Sequence, residues 1–268
     1  MGRGERPRPR PGRAHRGAAP VSALHEAEET YRRMAYDTFA RDLKMGFNLG
    51  FCRTFAVPEI ARVLASTGRM TQHTRVRAKA TGAMMYGLFE HGLDSERGAE
   101  TIAALGKLHA PFAIGDDAFR YVLACFDLAP MRWCAAHAWR APTDAERAAS
   151  HTLYLGLAER LGISEVPATW REFETWTQAY ERAHFATTPE GRELWQATRG
   201  MLADRVPGVL GPLAGAAADS LLDDLARDAF GAPRPPALVR GATRAALRAR
   251  AWRGRRAHAR AARARAEG

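Results

Sequence analysis

Cysteine is scarce in this chain. There are three, Cys52, Cys125 and Cys134, with no CxxC spacing and no even framework for pairing. Each sits in an apolar run. That argues against a disulfide scaffold or a thiolate zinc site and predicts buried thiols in a reducing compartment. Lysine is scarcer still beside arginine, 3 against 37, a bias that fits a GC-rich genome and weakens any functional reading of the arginines. No apolar run reaches the length of a membrane span, so no transmembrane helix is expected. The first twenty residues, MGRGERPRPRPGRAHRGAAP, lack an apolar h-region and are not read as a secretory signal. The chain has no GxGxxG, Walker loop, HExxH or GxSxG. Its nine histidines form no HxxxH or HxH pair. Period-two alternation is nowhere long enough to predict a strand.

What remains is an ordinary apolar share, 46% of 268 residues, enough for a core without staples. The charge is uneven. Residues 1–20 carry +5 and residues 234–268 carry +10, so of the total +11 the middle of the chain holds −4. The pI near 10.4 therefore describes the tails, and a nucleic-acid partner for the body is not expected. Three regions follow: an Arg/Pro/Gly-rich tail over 1–20 that cannot bury a core, a helical domain over 21–233, and an Arg-rich C-terminal helix and tail over 234–268. The last region suits an anionic membrane surface or RNA, or docks on the body through Leu238, Val239, Ala242 and Leu247 while the rest frays.

Helical spacing and caps run through the middle. A helix starts near Ser22. Gly46 and Gly50 then break an aromatic-rich run, giving a bent helix or a loop. Pro58 suits a first helical turn. Thr71 to His91 reads as a long helix closed by Gly92, and Glu96 to Leu108 as the next, ended or kinked at Pro111. Ala118 to Trp139 is strongly apolar but interrupted near Pro130. Thr143 with Glu146, and Thr169 with Glu172, form two capping boxes. Further helices open at Pro189, after breaks at Pro207–Pro212 over Ala214 to Phe230, and finally over Pro236 to Arg256. The fold class is all-α, a single multi-helical domain of roughly eight to ten helices with no internal repeat.

The stretch from Arg77 to Ile114 draws the most chemistry. Arg77 and Thr81 lie one turn apart on one helix face. His109 closes an apolar stripe of Ile102, Leu105, Leu108 and Phe112. An imidazole against apolar walls, facing a guanidinium and a hydroxyl, suits a haem and its dioxygen. A core histidine plus a solvated arginine fits the same spacing. Glu59 reads as a general base or as a first-turn carboxylate favoured by the helix dipole. Tyr86 and Tyr121 are pocket or core aromatics. Trp133 and Trp139 among arginines read as a structural corner. Spacing gives no support to a two-histidine, one-carboxylate metal site.

Seven blocks in order resemble one family: RAKAT at 77–81, LHAPFAI at 108–114, DDAFRYVL at 116–123, PMRW at 130–133, WRAPTDAERAA at 139–149, LGISEVPATWREFETW at 161–176 and YERAHFATTPEGR at 180–192. The family joins the fungal prenyl side-chain oxygenase MpaB with the bacterial latex-clearing proteins (rubber oxygenases), and the chain is more similar to the MpaB branch. The resemblance spans residues 30–250. It implies a globin-like helical core that binds haem b, with His109 as the proximal iron ligand and Arg77 and Thr81 on the distal side. It implies dioxygen and a small apolar, isoprenoid-like substrate as partners, cleaved oxidatively at a C=C bond. Lys79 and Ala80 depart from the acidic residues expected before the threonine. LYLGLAERLGI has leucine where methionine or tryptophan is common. These departures leave a second reading, a non-enzymatic binder of haem or an apolar ligand on the same fold. A third reading places the action in the Arg-rich tail, on membrane or RNA. The expected location is the cytoplasm, with peripheral membrane contact through that tail.

Overall fold

The computed structural model describes residues 21–68, 74–112, 114–203 and 211–267, with the side chains of 21, 74–81, 201–203 and 265–267 outside that description. The tail at 1–20 and His73 lie outside it as well. Every regular element among the described residues is helical, so the all-α expectation holds. No described helix is long and apolar enough to cross a membrane.

Helix α1 (Val21–Arg33) runs into a π-helical segment, Met34–Thr38, and leaves it at Phe39, whose N–H donates to the Met34 carbonyl at 2.9 Å. Helix α2 (Ala40–Arg53) starts after the non-helical Phe39 and runs unbroken into a 3-10 turn, Thr54–Ala56. The expected break at Gly46 and Gly50 is therefore corrected. Both glycines sit where α2 meets helix α6 (Asp116–His137). A Cβ at Gly50 would stand 2.1 Å from the Cys125 carbonyl oxygen, and one at Gly46 would stand 2.5 Å from the Pro130 Cα. They permit close backbone approach and do not interrupt the helix. The expected interruption at Pro130 is corrected too: α6 continues through it. Proline leaves the Phe126 carbonyl without its helical donor, and Pro130 lies against Gly46 of α2.

Local signals placed the other boundaries well. Pro58 opens α3 (Pro58–Ser66). Helix α4 (Thr74–His91) closes at Gly92, with φ +81°, and Ser95 caps α5 (Glu96–His109) by accepting from the Gly98 N–H at 2.9 Å. Both capping boxes form, at Thr143 for α7 (Asp144–Leu161) and Thr169 for α8 (Trp170–His184). Helix α9 spans Pro189–Ala203. The single helix expected over Ala214 to Phe230 is two, α10 (Gly211–Asp219) and α11 (Asp224–Phe230), because the Asp223 carboxylate accepts from the Ala226 N–H and caps a new start. The last helix, α12, is longer than expected, Ala237–Glu267.

The main core lies between α1, α2, α4, α5, α6 and α7, with Tyr31, Phe39, Leu88, Met131 and Tyr154 almost fully enclosed. A smaller core joins α9, α10 and α11 around Phe55, Trp195 and Phe230. The three cysteines are buried, as expected. Burial pushes the Cys52 and Cys125 thiols up to about 12, so neither is a reactive thiolate at neutral pH.

Candidate functional site

The α4–α5 hairpin, with α2, α3, α6 and α7, encloses a cavity of about 430 Å³. That volume lies within the ordinary range of ligand sites, roughly 300–1,000 Å³. Its walls are mostly apolar: Phe51 from α2, Ile60, Val63 and Leu64 from α3, Met84 and Met85 from α4, Phe119, Val122 and Phe126 from α6, and Leu157 and Leu161 from α7. His109 stands in this wall beside Leu105, Leu108 and Phe112, the stripe read from sequence apart from Ile102.

The orientation of His109 follows from its place at the end of α5. Its Nδ1 lies 2.8 Å from the Leu105 carbonyl oxygen. A carbonyl can only accept, so Nδ1 carries the proton and the lone pair of the neutral ring is on Nε2. Phe119 meets the imidazole edge-on, with centroids 6.0 Å apart. Pro111 then ends the helix. An apolar chamber with one histidine whose Nδ1 is fixed by a backbone acceptor fits the planar, apolar macrocycle of a haem. Among the described residues no cluster of three His, Cys, Asp or Glu side chains is gathered to hold a bare metal ion.

Arg77 and Thr81 lie on α4, the helix that reaches the cavity through Met84 and Met85 just beyond them. Their side chains lie outside the described residues. Glu59 is not a cavity group; its carboxylate accepts from the Gly115 N–H at 3.2 Å and joins the start of α3 to the start of α6. Tyr86 and Tyr121 are also outside the cavity wall. The Tyr86 carbonyl accepts from the Tyr36 hydroxyl, and Tyr121 donates to Glu181 at 3.2 Å. Trp133 and Trp139 are structural, as read: their indole N–H groups donate to Asp42 and to the Thr38 carbonyl.

Two supporting arrangements had no sequence signal. One is the loop Gly162–Ser164, which closes one side of the cavity. Arg120, buried on α6, donates to the Ser164 carbonyl at 3.1 Å and to Asp117 and Glu165, and its guanidinium stacks over Trp176. Glu165 adopts a left-handed backbone, φ 58°, which a non-glycine residue holds only when its surroundings impose it. The other is a buried charge cluster behind the cavity. Glu181, 5% exposed, accepts two hydrogen bonds from Arg53, at 2.9 and 2.8 Å, and one from Arg132 at 3.2 Å. Arg120 and its loop partners are 44 and 45 positions apart, and Glu181 and its arginines 49 and 128, beyond any local pattern.

The chain is 28% identical to the ER-bound oxygenase mpaB of Penicillium roqueforti (strain FM164) over 196 residues, covering 66% of each protein. It is 28% identical over 203 residues to the ER-bound oxygenase mpaB' of Penicillium brevicompactum, covering 68% of this chain and 48% of that protein. A third relative, the ER-bound oxygenase mpaB of Penicillium brevicompactum, is 28% identical over 172 residues, covering 57% of this chain and 44% of that protein. The chain thus spans about two thirds of the first relative's length and about half of the other two. Residues 40–257 match the family described as the ER-bound oxygenase mpaB/B'/rubber oxygenase catalytic domain, and with most of its length inside that match the chain belongs to this family.

Proposed function

We propose that the chain is a haem b-dependent oxygenase that uses dioxygen on a small apolar, isoprenoid-like substrate. The observation that carries this reading is His109 in the wall of an apolar cavity, with Nδ1 held by the Leu105 carbonyl. Membership of a family described by its oxygenases supports the reaction class.

His109 would hold the iron through Nε2. The Leu105 carbonyl keeps the ring in one tautomer and makes it a stronger donor. When bound, haem supplies a redox iron at which dioxygen is activated. The protein's own part is to bind and exclude: the Phe, Leu, Ile and Met walls take an apolar substrate and keep water out. By the family resemblance, Arg77 and Thr81 would supply a guanidinium and a hydroxyl to dioxygen, and a guanidinium is worth most where negative charge develops.

The test is the absorption spectrum of the purified protein with a pyridine haemochrome assay, beside His109→Ala after haem supplementation. A Soret band that is lost or shifted in the variant supports the assignment. A wild type that stays colourless with added haem overturns it. Dioxygen uptake with a panel of prenylated substrates then separates an oxygenase from a haem carrier, which would bind the cofactor and consume no oxygen.

A further inference from the structure

Helix α12 is the most charged element of the molecule, with ten arginines and one carboxylate, Glu267, over Ala237–Glu267. At 1.5 Å per residue it is about 46 Å long. One face is docked. Leu247 packs on the main core, Arg250 pairs with Asp42, Gly254 lies against Trp139, and the His258 ring stacks on Trp139 with centroids 4.1 Å apart. These four positions are spaced three or four apart, so they fix the roll of the helix about its axis. A Cβ at Gly254 would stand 2.9 Å from the Trp139 Cβ, which leaves little play in that roll.

The fixed roll decides what faces outward. Trp252 lies about 200° around the helix from both Arg250 and Gly254. Leu238, Ala245, Trp252 and Ala259 recur every seven residues and so share that outward stripe. Leu238 is 83% exposed and Trp252 47% exposed. Arg256 and Arg263 stand among them and Arg248 beside them, all exposed, whereas Arg255 turns back to donate to the Trp139 carbonyl. The Arg256 guanidinium sits 3.8 Å from the centroid of the Trp252 ring. The only carboxylate paired with this helix among the described residues is Asp42, on the docked side.

We propose that the outward face of α12 is a docking surface for an anionic lipid bilayer. Charge complementarity names the sign of the partner, and the apolar stripe names its kind. A leucine and a tryptophan aligned between arginines suit the headgroup–acyl boundary, where the indole settles and arginine stems lie along apolar surface with their heads in the phosphate layer. A nucleic acid would use the arginines but has no need of Leu238. The face lies along the surface of the body, so the bilayer would meet it side-on and the helix would not insert across.

The experiment is flotation of the full-length protein with mixed phosphatidylcholine–phosphatidylglycerol vesicles, with pure phosphatidylcholine vesicles as control. The expected result is binding to the anionic vesicles alone, weakened severalfold by Trp252→Ser and by Leu238→Ser, and about fivefold by Arg256→Ala or Arg263→Ala. All four side chains are exposed, and matched thermal melts show that the variants keep the fold. Absence of binding to anionic vesicles at low salt overturns the proposal. So does binding that the Trp252 and Leu238 variants leave unchanged, which would reduce the face to a charge patch. Displacement of the vesicles by poly(U) at equal phosphate concentration overturns it in favour of nucleic acid.

Discussion

At the scale of the residue, two buried ion pairs carry opposite lessons. His151, 3% exposed, directs Nδ1 to Asp127 at 2.8 Å and Nε2 to the Pro167 carbonyl at 2.9 Å. Both partners accept, so the doubly protonated ring satisfies both. Burial works to lower its pKa, but Asp127 overrides burial and holds it above the usual histidine value. A raised pKa in the folded state means that the stabilisation is fully present below about pH 6.5 and is lost as pH rises through the folded value. Wild type should therefore exceed His151→Gln in stability most at pH 6, by about 1–3 kcal/mol, and the gap should narrow towards pH 8.5. Urea unfolding of both across that range checks it, and a gap independent of pH would mean that the folded ring keeps the ordinary histidine pKa. Glu181 differs: it neutralises two guanidiniums, and the Arg132 Nη2 is already buried without a partner. Glu181→Gln leaves Arg53 with Asp223 and Arg132 with Glu174 as their remaining carboxylates. It should cost about 1–3 kcal/mol in the same assay, more than a surface ion pair such as Arg171–Asp144.

At the scale of the element, the contact of α2 with α6 shows how packing decides the fate of glycine. In an exposed helix, Gly→Ala stabilises by about 0.5–1 kcal/mol. At Gly50 the added methyl would meet the Cys125 carbonyl at 2.1 Å, and backbone cannot move aside cheaply. Gly50→Ala should destabilise by about 1–3 kcal/mol, whereas Gly241→Ala, in open space on α12, should stabilise slightly. Thermal unfolding of the two variants gives shifts of opposite sign if helix–helix contact governs. The same contrast explains what the chain discloses of its fold. Thr143, Thr169, Ser95 and Gly162 cap their own helices, so their signals are complete within four residues. Gly46, Gly50 and Pro130 look like breaks when each segment is read alone. They become compatible with helix only when α2 and α6 lie against each other. Asp223 was a cap hidden in a run that keeps helical spacing on both sides. The site divides the same way. His109 was legible because its apolar stripe, its helix end and Pro111 are contiguous, whereas the cavity walls come from six helices and the Arg120 clamp on loop 162–164 joins positions over 40 apart.

At the scale of the molecule, charge is segregated: a body that is slightly acidic by count carries a strongly basic helix along one side. Self-repulsion among ten arginines favours detachment, and the docked face must overcome it. Its contacts are local: packing against α10, Leu247 on the core, Arg250 on Asp42 and the His137 carbonyl, Gly254 and His258 on Trp139, and Arg255 on the Trp139 carbonyl. They end at His258, and residues 259–264 are all exposed. The helix should thus behave as two parts, a held segment up to His258 and a fraying end. Limited trypsin digestion reads this directly, since arginines fall throughout α12. In the wild type, early cuts are expected after Arg260 and Arg263, with Arg244 and Arg248 protected. Gly254→Leu cannot seat against Trp139, and Arg250→Ala leaves Asp42 without its arginine. In both variants early cleavage should spread back to Arg244 and Arg248 while the fragment ahead of α12 survives intact. Wild-type protein cut at Arg244 as fast as at Arg260 would show that the helix is not held, and the outward stripe of Leu238 and Trp252 would then lose its fixed orientation.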